Sequence, residues 1–181
     1  MFYIVEAAHD ENGKISYGRP GDQTGDEVRI RQASKNETFT YILRCPNASK
    51  AALFAKDALA IANNKNVGYA QFSNDGGRYS ARYGLWYRMK ELGNHIDFSK
   101  ISKPCNTDCS QMVSSVLTNN GYASGIYMST STEVGVLEKL GFKKIPYSLA
   151  NLKNGDVLWR QGHTAFAVEK VESSSNSSTS T

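Results

Sequence analysis

Apolar and polar positions recur along this chain with two periods, near two and near 3.6, and the places where one gives way to the other predict its elements. The opening Met1-Phe2-Tyr3-Ile4-Val5-Glu6-Ala7-Ala8 is apolar, has no basic leader and meets an acid at Glu6. It reads as a strand and not as a signal peptide. Glu27 to Gln32 and Thr38 to Arg44 also read as strands, and the polar stretch Ala33 to Glu37 between them predicts a hairpin. After Pro46, Asn47 or Ser49 can cap a helix over Lys50 to Asn63, with Phe54, Ala58 and Ile61 on one face. A second helix is predicted from about Arg82 to Leu92, stopped by Gly93. A third opens at Thr130-Ser131-Thr132-Glu133, which has capping-box spacing, and ends at Gly141. Asp156 to Arg160 and His163 to Val168 form a hairpin around Gln161-Gly162. Strands, then helices, then strands predict the α+β class.

Pattern fails at the C-terminus, where Ser173 to Thr181 contains no apolar residue. The expected organisation is one folded unit over 1–171, followed by a flexible serine- and threonine-rich linker stump over 172–181. A length of 181 residues suits a single core. Lys and Arg number 21 against 17 Asp and Glu, a net +4 without a dense basic run, so nucleic acid is not demanded. No apolar stretch approaches the roughly 18 residues of a membrane span. Three cysteines, Cys45, Cys105 and Cys109, make an odd and sparse set, which excludes a disulfide scaffold and suits a reducing compartment.

Chemistry concentrates in Thr107-Asp108-Cys109-Ser110-Gln111-Met112-Val113. Asp108 and Gln111 have the spacing of a reciprocal cap, which makes Cys109 the first residue of a helix. A thiol at the positive end of a helix dipole is expected to have a lowered pKa and to act as a nucleophile. The competing reading is a buried structural cysteine. A nucleophilic thiol needs a base. Of His9, His95 and His163, His163 is best placed, at the start of a strand after a tight turn. His95 reads as a solvated loop residue, and His9 precedes a turn. Zinc at Cys105, Cys109, Cys45 and His163 is disfavoured, because Cys-x-x-x-Cys is not the usual knuckle spacing. A Cys105–Cys109 disulfide would silence the nucleophile.

Asp108-Cys109-Ser110, followed by Gly155-Asp156-Val157-Leu158 and Gly162-His163, resembles the NlpC-type cysteine peptidases. More narrowly, it is similar to the catalytic domains of bacteriophage endolysins. The resemblance implies a papain-like fold, with the nucleophile helix packed on an antiparallel sheet. It also implies hydrolysis of a peptidoglycan amide by Cys109 and His163, with no metal or organic cofactor. The protein would be made in the host cytoplasm without a signal peptide and act as a monomer on the wall. The tail then reads as a link toward an absent wall-binding domain. Similar enzymes hold a tyrosine upstream of their cysteine that contacts the tetrahedral intermediate, which makes Tyr69 a candidate. Tyr79, Tyr83, Trp86 and Tyr87 are either a substrate groove or core.

The third catalytic group departs from that pattern. Such enzymes usually carry it on the strand after the histidine strand, and here that stretch is the serine tract. Glu169 lies roughly 20 Å along the strand from His163 at ~3.3 Å per residue, too far to touch the ring. The N-terminal loop Gly21-Asp22-Gln23-Thr24-Gly25 is the expected donor, with Asp22 first, then Gln23 and His9; its other reading is a plain turn. The alternatives to hydrolysis are a wall-binding or structural module with an inert cysteine, and another papain-like amide chemistry such as transglutamination.

Overall fold

The opening apolar run does form a strand. In the computed structural model, which describes residues 1–15, 19–21, 24–71, 83–122 and 128–170, β1 spans Phe2–Ala7. It is followed by β2 (Val28–Gln32), β3 (Tyr41–Arg44), α1 (Ala48–Ala62), β4 (Val67–Tyr69) and α2 (Leu85–Glu91). The chain continues through β5 (Cys105–Thr107), α3 (Cys109–Asn119), α4 (Thr130–Lys139), β6 (Lys143–Pro146), β7 (Val157–Arg160) and β8 (His163–Glu169). Six strands make one antiparallel sheet in the order β2-β1-β8-β7-β3-β6, and β4 and β5 form a small parallel pair. The class is α+β.

Strand alternation divides the sheet into two faces. Val5, Ala7, Phe166 and Val168 face a core shared with the helices, where Phe54 of α1 packs against Phe142 and Phe166. Burying such a side chain contributes about 1.5–3 kcal/mol. The other positions, Ile4, Ala165 and Ala167, join Phe39, Ile42 and Leu158 in a second cluster on the outer face.

The β7–β8 hairpin forms as its pattern predicts, with Arg160 opposite His163 and Gly162 at φ +86°. The first expected hairpin does not. β2 pairs with β1, β3 pairs with β7 and β6, and three strands, β1, β8 and β7, separate them. The link between β2 and β3 is too long for a tight turn, and its Phe39 is buried on the outer face, so the chain crosses the sheet there. Helix α1 is capped by Asn47, whose side chain accepts from the Lys50 N–H. At α4 the cap lies one residue earlier than expected: the Ser129 N–H donates to Thr132 Oγ1, and Glu133 is left with no capping role and is fully buried.

The Gly155-Asp156 pair fastens these layers. Gly155 sits at φ +84°, and a Cβ there would meet the Ala51 carbonyl oxygen of α1 at 1.9 Å. Its N–H donates to Ala167 of β8. Asp156 is buried and accepts from Arg44 Nε at 2.9 Å, Arg44 Nη2 at 2.8 Å and the Lys153 N–H at 2.7 Å.

Candidate active site

Cys109 opens α3 as expected, because Asp108 adopts extended backbone and its carboxylate accepts from the Gln111 N–H at 2.8 Å. Gln111 itself reaches outward, its side-chain oxygen accepting from the Trp86 N–H at 3.0 Å, which ties the start of α2 to α3. The predicted inward face of α3 is buried, and so is every residue from Ser110 to Asn119. The helix is therefore held on all sides, and Cys109 at its tip is half-buried.

Cys109 and His163 line one cavity of about 300 Å³, together with Ala8, Tyr69, Gln71, Asp108, Ser129, Thr130 and Arg160. Trp159 holds the start of α4 against this rim by donating to the Thr130 carbonyl at 2.7 Å. His163 Nε2–H donates to Glu6 Oε1 at 2.9 Å. Glu6 also accepts from Arg31 Nε at 2.7 Å, and Arg29 stands at 3.5 Å. Burial alone would raise the Glu6 pKa, but the hydrogen bonds and charges of His163 and Arg31 outweigh it and lower the carboxyl to about 2. An ionised carboxylate can only accept, so Nε2 carries the ring hydrogen and Nδ1 keeps the lone pair when the imidazole is neutral. Phe39 stacks on the same ring, with centroids 5.9 Å apart and planes at 22°.

The thiol differs from its expectation. Burial pushes the Cys109 pKa up to about 12, the neighbouring Asp108 carboxylate adds to the rise, and the backbone N–H groups of Thr164 and Ser110 only partly oppose it. The helix terminus does not leave a standing thiolate; desolvation dominates. Tyr69 is buried at the end of β4, and its pKa is likewise raised by burial and by Cys109 and Asp108, so its hydroxyl stays protonated beside the Cys109 thiol.

Glu6 is the residue that sequence reading missed. It lies 157 positions from His163, and only the pairing of β1 with β8 brings them together. Its one local signal is an acid inside an apolar strand, where a charge is costly unless paired. Asp22 and Gln23 lie outside the described residues, as do Tyr79 and the tail from 171 onward. The neighbouring loop has a structural function: buried Glu27 accepts from the N–H groups of Thr24, Gly25 and Asp26. His9 is half-buried with Nδ1 on the Asp10 carbonyl, and exposed His95 bonds the Asn119 carbonyl away from the cavity. Cys45 and Cys105 are buried free thiols. The Tyr83 carbonyl accepts from the Asn106 N–H, Trp86 is core, and Tyr87 is exposed.

A family model described as the endolysin-like domain matches residues 4–174 of the chain. The chain belongs to the endolysin-like domain family. No curated protein and no solved structure matches it. The family gives the domain a cell-wall-related role, and no helix among the described residues is long and apolar enough to cross a membrane.

Proposed function

We propose that this endolysin-like domain hydrolyses an amide bond of bacterial peptidoglycan by a papain-like mechanism, with Cys109 as nucleophile, His163 as general base and acid, and Glu6 as the group that orients His163. The observation carrying this reading is the single cavity lined by a helix-tip cysteine and by a histidine whose Nε2 is fixed on a buried carboxylate. Because the thiol is neutral at rest, attack is coupled to proton transfer. His163 Nδ1 takes the thiol proton as sulfur bonds to the amide carbon, and Glu6 stabilises the imidazolium. Nδ1 then protonates the departing amine, leaving a thioester. Water attacks this acyl group with His163 again as base, releasing a carboxylic acid and restoring the thiol. The Tyr69 hydroxyl is the side-chain donor proposed for the oxyanion. Gln23 remains a candidate for substrate contact from the loop that follows Gly21.

The elevated thiol pKa is the observation that favours the second reading, a wall-binding module with an inert cysteine. Digestion of purified walls separates the two. Cys109→Ala, Cys109→Ser and His163→Ala, each checked by circular dichroism for an intact fold, are expected to lose at least 10²-fold in rate, the lower end of what general acid–base help supplies. Full digestion by either Cys109 variant would overturn the hydrolase reading in favour of the binding module.

A further inference from the structure

His163 separates two cavities that share it with Ala8 and Arg160: the one containing Cys109, and another of about 260 Å³. Three guanidinium groups, Arg29, Arg31 and Arg160, line the second, and its one carboxylate is Glu6. That carboxylate is already occupied by His163 and Arg31, and Arg31 is further held by Glu37 at 2.8 Å. Arg29 has no ion-pair partner other than Glu6 at 3.5 Å among the described residues, and its buried Nε makes no hydrogen bond. Arg160 spends one donor on the Gln161 carbonyl and has no ion pair among the described residues. A buried donor held only by a long ion pair keeps unused hydrogen-bonding capacity, and two under-used guanidinium groups beside the proposed reacting centre are poised for an anion of planar, bidentate geometry.

We propose that Arg29 and Arg160 bind a free carboxylate of the stem peptide, next to the scissile amide and across His163 from Cys109. This rests on the hydrolase reading for the location of the amide, and it makes the domain selective for stems whose acidic groups are not amidated. Carboxylate binding in this cavity also positions the substrate chain along the groove, so that its amide lies over the nucleophile. Arg31 is excluded as the recognition element because its fork is consumed by Glu6 and Glu37.

The test is calorimetric titration of full-length Cys109→Ala protein with one synthetic stem peptide in free-acid and amidated forms. The acid is expected to bind about tenfold to a hundredfold tighter, the range for hydrogen bonds to a charged group. Arg29→Gln and Arg160→Gln, each added to that protein, should move the ratio toward one by weakening the acid and leaving the amide within about twofold. Arg160 has no ion pair with Glu6, so its variant tests the pocket without disturbing the orienting carboxylate. Equal binding of the two peptides, or a ratio that neither variant moves, would overturn the proposal. Should a variant fail to fold, the acid-to-amide ratio of the parent decides alone. Fragment release by the protein with Cys109 intact is measured in parallel: no release with the acid preference intact overturns the hydrolase reading and leaves the pocket, whereas release without the preference overturns the pocket alone.

Discussion

In the proposed mechanism Glu6 is the group that lets His163 serve as a base. A carboxylate held at about 2 by its partners is ionised throughout the working range, so it fixes the imidazole tautomer and offsets the charge that forms on the ring. Glu6→Gln keeps the shape, removes the charge and allows the amide to present its NH₂ to Nε2. Turnover should fall by one to three orders of magnitude with KM changed much less, measured on soluble muropeptides. An unchanged kcat would remove Glu6 from the mechanism. Glu133 carries a different cost. It is fully buried at the start of α4, neither carboxylate oxygen has a hydrogen-bond partner, and burial raises its pKa from 4.5 to about 8, with Thr164 the one opposing influence. Between pH 4.5 and 8 the unfolded chain has lost this proton and the folded chain keeps it, so the group makes stability fall as pH rises through that window. Glu133→Gln should be more stable than the parent at pH 8, with the advantage shrinking toward pH 4.5. Thermal or urea unfolding across that range checks it, and parallel curves for the two proteins would contradict it.

At the level of elements, the local signals were sound wherever a short stretch decides its own conformation. Asp108 caps α3, Asn47 caps α1, and Gly162 turns β7 into β8, all within a few residues of the signal. Pairing between distant strands is not written locally. β2 and β3 have the alternation of a hairpin, yet each found a different neighbour, because alternation specifies a buried face and not a partner. The Gly155-Asp156 pair was legible as a motif, but its work is architectural: it lets β7 approach α1 and ties β3 to β7 through Arg44. Gly155→Ala places a methyl group on the Ala51 carbonyl at a backbone angle that L residues avoid, so it should destabilise by about 3 kcal/mol or more. Urea unfolding measures this, and a loss below about 1 kcal/mol would mean that α1 shifts freely away from the turn.

Across the whole molecule, the site is assembled from opposite ends of the chain. β1 stands beside the histidine strand and supplies the carboxylate that a strand following His163 would otherwise be expected to carry. That arrangement was half visible: the absence of a partner after His163 pointed to the N-terminal region, but pointed to its loop and not to its first strand. The placement of Cys109 at a helix start and of His163 after a turn was legible, because each is announced within a few residues of itself. The state of the thiol was not, since it depends on how deeply tertiary packing buries Cys109. The central claim is that this assembly cuts an amide bond in peptidoglycan. Mass spectrometry of fragments released from purified walls tests it most directly. The protein should add one water across a single type of amide, exposing a new amine and a new carboxyl group, and Cys109→Ala should release no such fragments. Release that Cys109→Ala leaves unchanged, or cleavage that exposes sugar reducing ends while every amide stays intact, would contradict it.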